Sequence, residues 1–537
     1  MCSASGAGST GPERRARGRR GYLRPPREWH SIPARRFSLL PPAPKPTVTQ
    51  LLSVLLVLST APSGETPQWS GFRGNNGCGV SNGGVSNGGV SSGAGLPSAL
   101  DPEANLQWRV EVPAGYSSPV IAGKNLYLTG AMATAAGRIL KGKLVTLCLD
   151  TFSGETRWRR ELDFTGARPG QSSAAAPTPV TDGEVLVALF HHFGLVAYDP
   201  AGKELWRAPI GPFNIPHGMS TSPLLHGDMV VLQVDQDNGA YLVAFDKRSG
   251  AQRWRVERPG VTHSYATPAI HQPENGPAQL VVSGTMQVAG YALADGEKLW
   301  WLDGSAWQSK SVPIFARGRC YLNAFMPSLA EMEYPSFSGS FQETLAKSDA
   351  NDDGKVAKSE YGNEQLHTLW FLFDQDKDEL LDEKEWGFAL ASNDANGGLF
   401  AIELGGKGDV TKSGLKWKID DRRVLSDVTT PVIVGDALFV IKDGGMLASL
   451  DLETGKVIKQ ERVGEPDTFF ASPVAGDGKL YLAGRSGVLT VVRATPEWEA
   501  LSTHVLDEEE VWATPALAGR AVYVRGKEAL YCFEDPE

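Results

Sequence analysis

The sequence predicts an all-β fold, an eight-bladed β-propeller, and three observations support that prediction. The first is a repeated phrase led by proline, clearest at Ser118-Pro119-Val120. Its eight prolines lie 42 to 45 residues apart, except for one gap of 60 and one of 118 residues. They are Pro119, Pro179, Pro223, Pro268, Pro313, Pro431, Pro473 and Pro515. A period of this length indicates stacked repeats.

The second observation is the composition of each repeat. Runs such as 185–190 and 229–234 are rich in β-branched and aromatic residues and are bounded by Gly, Asp and Pro, which is typical of short strands. Segments such as Asp150–Gly154 and Asp246–Gly250 fit tight turns, because Asp accepts hydrogen bonds from nearby amides and Gly supplies a positive φ. Each repeat therefore predicts a small antiparallel sheet.

The third observation is a series of tryptophans. Trp158, Trp206, Trp254 and Trp300 are separated by 48, 48 and 46 residues, and Trp417 continues the series. A large ring at one fixed place per sheet suits burial between neighbouring sheets. Four-stranded sheets arranged radially make a propeller, and eight repeats make eight blades.

Residues 1–64 are expected to be a basic leader and signal peptide. They hold ten Lys and Arg against Glu13 and Glu28, and they end in the apolar run 51–58. The run is shorter than the ~20 residues of a membrane-spanning helix and matches a signal-peptide core. The sequence thus predicts cleavage between Ala61 and Glu65 and a periplasmic or extracellular protein without a transmembrane helix in the mature chain. No cysteine directly follows the run at the predicted cleavage site, which argues against a lipid anchor.

Residues 65–104 are expected to lead into the propeller, with a flexible linker where near-copies of Gly-Val-Ser-Asn-Gly fill 77–95. Blades one to four and the first part of blade five are assigned to 105–325, and the remainder through blade eight to 398–537. The last repeat ends near Phe533 without its tryptophan strand, whereas Asn105–Arg109 carries Trp108 and has no blade of its own. This N-terminal segment is expected to close the ring as the outer strand of blade eight, which removes exposed edges.

The repeated Asp-x-x-Thr/Ser-Gly-x-x-x-Trp phrase resembles the tryptophan-docking repeat of the pyrroloquinoline quinone (PQQ)-like β-propellers, over about residues 66–537. That superfamily includes quinoprotein alcohol dehydrogenases and the lipoprotein scaffold of the outer-membrane β-barrel assembly machine. The opening Trp69-Ser-Gly-Phe72-Arg73-Gly74 and the stretch Gly405–Thr411 are similar to secreted PQQ-like propellers of planctomycete type. The resemblance implies a propeller fold, and it leaves the chemistry open.

Charge narrows the choice of partner. After residue 64 the chain carries 42 basic and 60 acidic residues, a formal charge of −18. An acidic body argues against nucleic-acid binding.

The 118-residue gap holds a predicted EF-hand insertion at 326–397, in the fifth blade. The segment 349–360 matches a calcium loop at positions 1, 3, 5, 6, 8 and 12. The proposed ligands are Asp349, Asn351, Asp353, the carbonyl of Lys355, and Glu360. Calcium takes six to eight oxygen ligands, and this spacing delivers them around one point. A solvated acidic loop is the alternative.

A second loop follows at 374–385. Its proposed ligands are Asp374, Asp376, Asp378, the carbonyl of Leu380, Asp382 and Glu385. Position 6 is Glu379 instead of Gly, so the bend needs a left-handed non-glycine residue. Thirteen residues, 361–373, separate the loops, and Leu366, Leu369, Trp370 and Phe373 predict one helix between them. This short spacing leaves open whether the loops touch.

The sequence favours a calcium-binding interaction scaffold over an enzyme. Its partner would be a protein or polysaccharide at the propeller rim or funnel. A PQQ-dependent oxidoreductase with a divergent site is the alternative, but the adjacent Cys-Cys pair that those enzymes share is absent from this chain, and no catalytic residue is assigned.

Three weaker patterns carry no site assignment. Asp235 and Asp237 are expected to be solvated in a turn, and His191, His192 and His217 have no metal-ligand spacing. Cys148 and Cys532 occupy corresponding strands of the first and last repeats, where two buried thiols are favoured over a disulfide.

Overall fold

The computed structural model describes residues 67–81, 95–327, 333, 335–393, 395, 397–506 and 509–536. The predicted leader, its cleavage site, and most of the predicted glycine-rich linker lie outside the described residues.

Eight sheets, each with four antiparallel blade strands and two of them with one added edge strand, confirm the eight-bladed propeller. The strands are β1 Pro67–Trp69, β2 Leu106–Glu111, β3 Val120–Ala122, β4 Asn125–Ala136, β5 Ile139–Asp150, β6 Thr156–Ala167, β7 Val180–Thr181, β8 Leu186–Phe190, β9 Gly194–Tyr198, β10 Glu204–Ala208, β11 Leu224–His226, β12 Met229–Val234, β13 Tyr241–Asp246, β14 Gln252–Glu257, β15 Ala269–His271, β16 Gln279–Gly284, β17 Gln287–Ala292, β18 Lys298–Asp303, β19 Ile314–Ala316, β20 Arg319–Phe325, β21 Val356–Ala357, β22 Leu380–Leu381, β23 Gly397–Glu403, β24 Gly408–Asp409, β25 Leu415–Ile419, β26 Val432–Val434, β27 Ala437–Lys442, β28 Met446–Asp451, β29 Val457–Arg462, β30 Val474–Gly476, β31 Lys479–Ala483, β32 Val488–Arg493, β33 Glu499–Val505, β34 Ala516–Ala518, β35 Ala521–Arg525 and β36 Ala529–Phe533.

Each blade begins with a short strand that follows one of the eight prolines and ends with a longer outer strand. The blades are β3–β6, β7–β10, β11–β14, β15–β18, β19 with β20, β23 and β25, β26–β29, β30–β33, and β34–β36 with β2. In the third blade every residue of β12 pairs with β13, from Met229 opposite Asp246 to Val234 opposite Tyr241. The inner strands are buried on both faces, so they read as apolar runs rather than as alternating patterns.

The ring closes as predicted. Strand β2 pairs with β36, with Leu106 opposite Phe533 and Trp108 opposite Cys532. A buried guanidinium reinforces the junction, since Arg525 of blade eight donates to the carbonyls of Ser117 and Thr129 at 2.8 Å each. No disulfide joins the cysteines of the described residues, Cys148 and Cys532 included.

The tryptophans join each blade to the next. The indole N–H of Trp158 donates to Pro200 O at 2.9 Å, and that of Trp206 donates to Lys247 O at 2.7 Å. The turn glycine of the following blade lies against the ring, and a Cβ added to Gly250 would stand 2.6 Å from Trp206. The Asp-x-x-Ser-Gly turn therefore requires glycine for two reasons. The residue has a positive φ, and the tryptophan ring leaves no space for a Cβ.

Trp300 departs from the series. Its indole donates to Gln279 Oε1 in its own blade at 3.0 Å. The fifth blade has no tight turn to receive it, because a longer connection there adds β24 in parallel to the edge of β18, with Trp301 opposite Asp409. The ring is still 2 % exposed, so the burial expected from the spacing is kept.

A chain of hydroxyls links the inner strands around the axis. Before six of the eight prolines, the backbone N–H donates to the side-chain hydroxyl of the equivalent residue one blade on. Six such bonds of 2.9–3.0 Å run from Ser118 to Thr178, Thr178 to Ser222, Ser222 to Thr267, Val312 to Thr430, Thr430 to Ser472 and Ser472 to Thr514. We call these eight positions the hydroxyl girdle. It is interrupted at Val312, which has no hydroxyl, and at Ser118, whose Oγ has no partner among the described residues.

Residues 67–81 fill the axis of the propeller and form a plug. Strand β1 pairs with β3 of blade one, and Asn76 exchanges two hydrogen bonds with the backbone of Ile270 in blade four. Arg73 is fully buried and donates to Thr430 O and Pro431 O at 2.9 Å each. A segment that reaches the first strands of blades on opposite sides must lie on the axis. The linker expected from 77 onward thus begins after an ordered stretch.

Three helices lie in the chain between β20 and β23. They are α1 Phe341–Ser348, α2 Glu364–His367 and α3 Glu383–Ser392, with a 3-10 turn at Trp370–Leu372. Phe337, Trp370, Phe373 and Trp386 form their shared core, into which Trp307 of the propeller also packs. We call residues 335–393 the insertion. Within the described residues, no helix has the length and apolar character needed to cross a membrane.

Candidate calcium loops and the propeller funnel

Helix α1 leads directly into the first acidic loop. Ser340 caps the helix, because its hydroxyl accepts from Glu343 N while the Glu343 carboxylate accepts from Ser340 N. This reciprocal cap fixes where the helix starts. The helix ends at Ser348, so Asp349 stands at its C-terminal cap and opens the loop.

The proposed ligands of the first loop converge through hydrogen bonds to its backbone. Asp349 accepts from the amides of Asp353 at 3.1 Å and Gly354 at 2.9 Å. Asn351 Oδ1 accepts from Asp353 N at 3.0 Å, and Glu360 reaches back to accept from Ala350 N at 3.3 Å. The carboxylates of loop positions 1 and 12 therefore turn toward the same concave backbone.

The second loop repeats this arrangement. Asp374 accepts from the amides of Asp378 at 3.2 Å and Glu379 at 3.1 Å, and Glu385 accepts from Gln375 N at 2.7 Å. Glu379 has φ of 66°, so the bend is made in the left-handed region, as its place at position 6 required. Asp382 caps α3 by accepting from Glu385 N at 2.8 Å, so it serves the helix at the position predicted for a ligand.

The two loops pair with each other, which the short spacing had left open. Val356 lies opposite Leu381 and Ala357 opposite Leu380 in a two-stranded ribbon. Val356 and Leu381 are fully buried, so the apolar position 8 of each loop packs into the core of the insertion. The eleven residues singled out in the sequence are thus brought into one module as two adjoining sets.

A single helix over 361–373 does not form. Helix α2 ends at His367, and Leu369, Leu372 and Phe373 donate to carbonyls three residues earlier instead of four. In 3-10 winding, residues three apart are eclipsed. Trp370 and Phe373 can therefore both enter the core before the second loop begins.

The second loop differs from the first in how closely its carboxylates are grouped and in how their pKa values are shifted. Ligand atoms of Asp374, Asp376 and Asp378 lie within 4.8 Å of one another. Burial raises the pKa of Asp374 and Glu385, and repulsion from Asp376 adds to both rises. Burial would raise the pKa of Asp378 too, but hydrogen bonds from the Lys355 ammonium and the Leu380 amide, together with the positive charge of Lys355, outweigh burial and lower the pKa. One side chain of the first loop thus neutralises part of the second.

The insertion contacts the propeller beside its axis. Asn214 of blade two donates to Gln375 O at 3.2 Å, and Trp307 N donates to Ala395 O at 3.1 Å. Phe371, which is 48 % exposed, approaches His217 with ring centroids 6.4 Å apart. Asn214 and Trp307 carry no motif, so sequence reasoning missed both.

A cavity of about 230 Å³ lies at the axis above the plug, and we call it the funnel. Phe72 of the plug lines it together with girdle residues such as Ser118 and Thr178. Further lining residues are Tyr116, His217, Tyr265, Lys310, Asp427, Phe470 and Trp512. They come from loops of different blades, so no local sequence pattern marks them.

The expectation that Asp235 and Asp237 are solvated is wrong. Both are buried. Asp235 forms an ion pair with Arg258 and accepts from Ser264 Oγ at 2.6 Å, while Asp237 Oδ1 lies 2.5 Å from His263 Nδ1. The partners come from the following strand and loop, and a buried carboxylate requires such partners.

The histidines do not gather as a metal site. His191 and His192 are in ring contact at 4.7 Å, and Met219 N donates to His191 Nδ1 at 3.2 Å. His217 instead lines the funnel. Within the described residues, the one group of acidic, His or Cys side chains close enough to hold a metal ion is that of Asp374, Asp376 and Asp378.

A sequence model of the family described as outer membrane protein assembly factor BamB matches residues 75–231, 145–303 and 238–535. BamB from Moraxella catarrhalis is 11 % identical, with a TM-score of 0.48 over 80 % of this chain and 99 % of that one. A quinohemoprotein alcohol dehydrogenase from Pseudomonas putida HK5 is 11 % identical, with a TM-score of 0.48 over 81 % of this chain and 78 % of that one. No curated protein matches the sequence significantly.

Proposed function

The chain belongs to the outer membrane protein assembly factor BamB family of repeat propellers, and we propose that it is an exported, calcium-binding interaction scaffold. The propeller supplies a rigid body and a funnel. The insertion supplies two calcium loops. Its partner contacts the rim or funnel, where the insertion also lies.

The paired acidic loops carry the calcium proposal. Two loops have the same backbone bonds, the same inward carboxylates at positions 1 and 12, and a shared ribbon through Val356 and Leu381. Calcium prefers carboxylate and carbonyl oxygens in flexible geometry. Bound ions would balance the negative charge of eight acidic side chains and would take the place of the Lys355 ammonium beside Asp378.

The ions are proposed to brace the module rather than to signal. Trp307 and Phe373 bury the insertion against the propeller, with ring centroids 6.2 Å apart. Extracellular calcium modules bind with Kd of ~10⁻⁴–10⁻³ M, which suits a periplasmic or extracellular protein. We base the proposed export on the predicted signal peptide within residues 1–64. The family description, an assembly factor, favours a protein partner at the rim.

A PQQ-dependent oxidoreductase is the competing function, and the funnel residues do not match that cofactor. PQQ carries three carboxylates, so its site requires cationic groups. Among the described residues lining the funnel, Lys310 is the sole Lys or Arg, and it is paired with Asp427 at 2.6 Å. The plug residue Phe72 also occupies part of the axial space.

Thermal unfolding of residues 65–537 tests the proposal. A ligand that binds only the folded state raises Tm with its concentration. We expect Tm to rise from chelator to millimolar calcium and to stay there when excess PQQ is added. No rise with calcium would contradict the scaffold proposal. A further rise with PQQ, with quinone absorbance retained on the protein, would favour the oxidoreductase.

A further inference from the structure

The funnel contains buried hydroxyls that the protein leaves unsatisfied. Ser118, the first girdle position, is 1 % exposed and its Oγ has no hydrogen-bond partner among the described residues. The Tyr265 hydroxyl is buried and finds no acceptor for its proton there either. Both residues line the cavity. Because an unpaired buried polar group is costly, these two atoms point to a ligand that hydrogen-bonds.

An aromatic wall forms one side of the funnel. Trp512 stacks on Tyr116 at 4.6 Å with an interplanar angle of 9°, and on Phe470 at 4.2 Å with an angle of 17°. All three rings are half-buried and line the cavity. Trp512 lies between the other two rings, so its own faces are covered. The stack is rigid, and its ring edges and the outer faces of Tyr116 and Phe470 remain as a preformed apolar surface that costs a ligand little entropy.

The charges opposite this wall are balanced. Lys310 and Asp427 pair at 2.6 Å, with side chains 17 % and 42 % exposed. Burial lowers the pKa of His217, and repulsion from His263 and Lys310 adds to the effect, so His217 is neutral at physiological pH. A strongly charged ligand would find no unpaired opposite charge in this lining. An uncharged ligand, in contrast, would find both hydrogen-bond donors and hydrogen-bond acceptors in the lining of the funnel.

A peptide strand fits less well. Strand addition uses a row of unpaired backbone groups, but six of the eight girdle amides are already bonded to hydroxyls. A chain terminus would need an unpaired ion of opposite charge. A sugar ring needs neither, because its C–H faces pack on aromatic rings and each hydroxyl both donates and accepts.

We propose that the funnel binds the terminal ring of an uncharged glycan. The ring packs against the wall of Tyr116, Trp512 and Phe470, and its hydroxyls bond to Asp427, Tyr265 and Ser118. The volume of about 230 Å³ is below the ~300–1,000 Å³ of drug-sized pockets, so one ring enters and the rest of the glycan leads outward past the insertion. This inference rests on the proposed scaffold function, but it does not require calcium.

Saturation-transfer NMR and calorimetry on residues 65–537 test the inference. The probes are cellotriose, maltotriose and tri-N-acetylchitotriose, with trialanine and glucose 6-phosphate as peptide and anionic comparisons. We expect at least one trisaccharide to bind saturably, through its terminal ring. Asp427→Asn should weaken it roughly tenfold and Tyr265→Phe by about three- to tenfold, as loss of one hydrogen bond implies.

Tyr241→Phe is the matched control, since this tyrosine lies on β13 outside the funnel. It should bind sugar like the parent, and equal Tm values would show that the variants fold. Sugar binding should persist in the presence of a chelator, so failure of the calcium proposal and failure of the glycan proposal can be told apart. Absence of saturable binding to all three sugars, unchanged affinity in both funnel variants, or tighter binding of trialanine or glucose 6-phosphate would overturn the inference.

Discussion

Gly250 combines two structural requirements of the repeat in one residue, a positive φ and close contact with a tryptophan ring. Its φ is +70°, and a Cβ would stand 2.6 Å from the Trp206 ring. Gly227, in the same blade, has φ of +56° and open space around it. Substitution of Gly227 therefore tests backbone strain alone, whereas substitution of Gly250 tests backbone strain and the tryptophan contact together.

We predict that Gly250→Ala destabilises the protein much more than Gly227→Ala. Both pay about 1–2 kcal/mol for a left-handed alanine, and Gly250→Ala adds about 1–3 kcal/mol for the overpacked ring. Chemical denaturation of the two variants measures the difference. Equal losses would mean that the glycine serves the turn alone.

His191 couples stability to pH. Burial lowers its pKa to about 3, and repulsion from His192 and Lys377 contributes. Below the ordinary pKa of about 6.5, the unfolded chain takes up a proton that the folded chain refuses. The stability due to neutral His191 is therefore complete above pH 6.5 and is lost as pH falls toward 3.

We predict that His191→Asn reduces the loss of stability between pH 7 and pH 5. Asparagine keeps an acceptor for Met219 N but cannot be protonated. Unfolding free energies at the two pH values check this, and His226→Asn, at an exposed position on β11, should leave the pH dependence as in the parent. A pH dependence unchanged by His191→Asn would contradict the assignment.

At the scale of elements, Lys355 links the two acidic loops. Its ammonium pairs with Asp378 of the second loop, and both side chains are about one-third exposed, at 34 % and 33 %. The pair must break if Asp378 coordinates calcium. Lys355→Ala keeps the backbone carbonyl that position 7 of the loop would contribute to a bound ion.

We predict that Lys355→Ala tightens calcium binding by about three- to tenfold, because it removes a competing positive charge. Calcium titration by calorimetry measures the change. Lys347→Ala removes the same charge from α1 and should have a smaller effect. Equal or weaker affinity in Lys355→Ala would argue that Asp378 does not bind the ion.

Sequence patterns predicted those elements whose formation depends on residues close together in the chain. The proline phrase and the tryptophan spacing were enough to place the blades, and Trp108 identified the closing strand. The interloop helix was wrong because packing of Trp370 and Phe373 into one core decided the winding. The burial of Asp235 was missed because its partner Arg258 stands 23 residues away, and composition does not reveal such pairs.

For the whole molecule, the plug is the feature that sequence reasoning did not predict. Residues 67–81 are rich in Gly and Asn and show no strand or helix period. Their order comes from the blades around them, through Asn76 bonded to Ile270 and Arg73 bonded to Thr430 and Pro431. The funnel also depends on contacts between blades, because its lining residues come together only after the ring closes.

We predict that deletion of residues 1–81 lowers Tm and broadens the unfolding transition compared with deletion of residues 1–66. The shorter deletion keeps the plug, whereas the longer one exposes the inner strands of several blades at once. Differential scanning calorimetry of the two proteins makes the comparison. Identical transitions would show that the plug is dispensable.

Direct calcium titration of residues 65–537 tests whether the insertion binds calcium in both loops. We expect two ions bound to the parent. We expect one ion fewer in Asp349→Ala with Glu360→Ala, in a protein whose propeller remains folded. The same number of ions bound equally tightly in parent and double variant would contradict the claim for the first loop, and no bound ion in the parent would contradict it altogether.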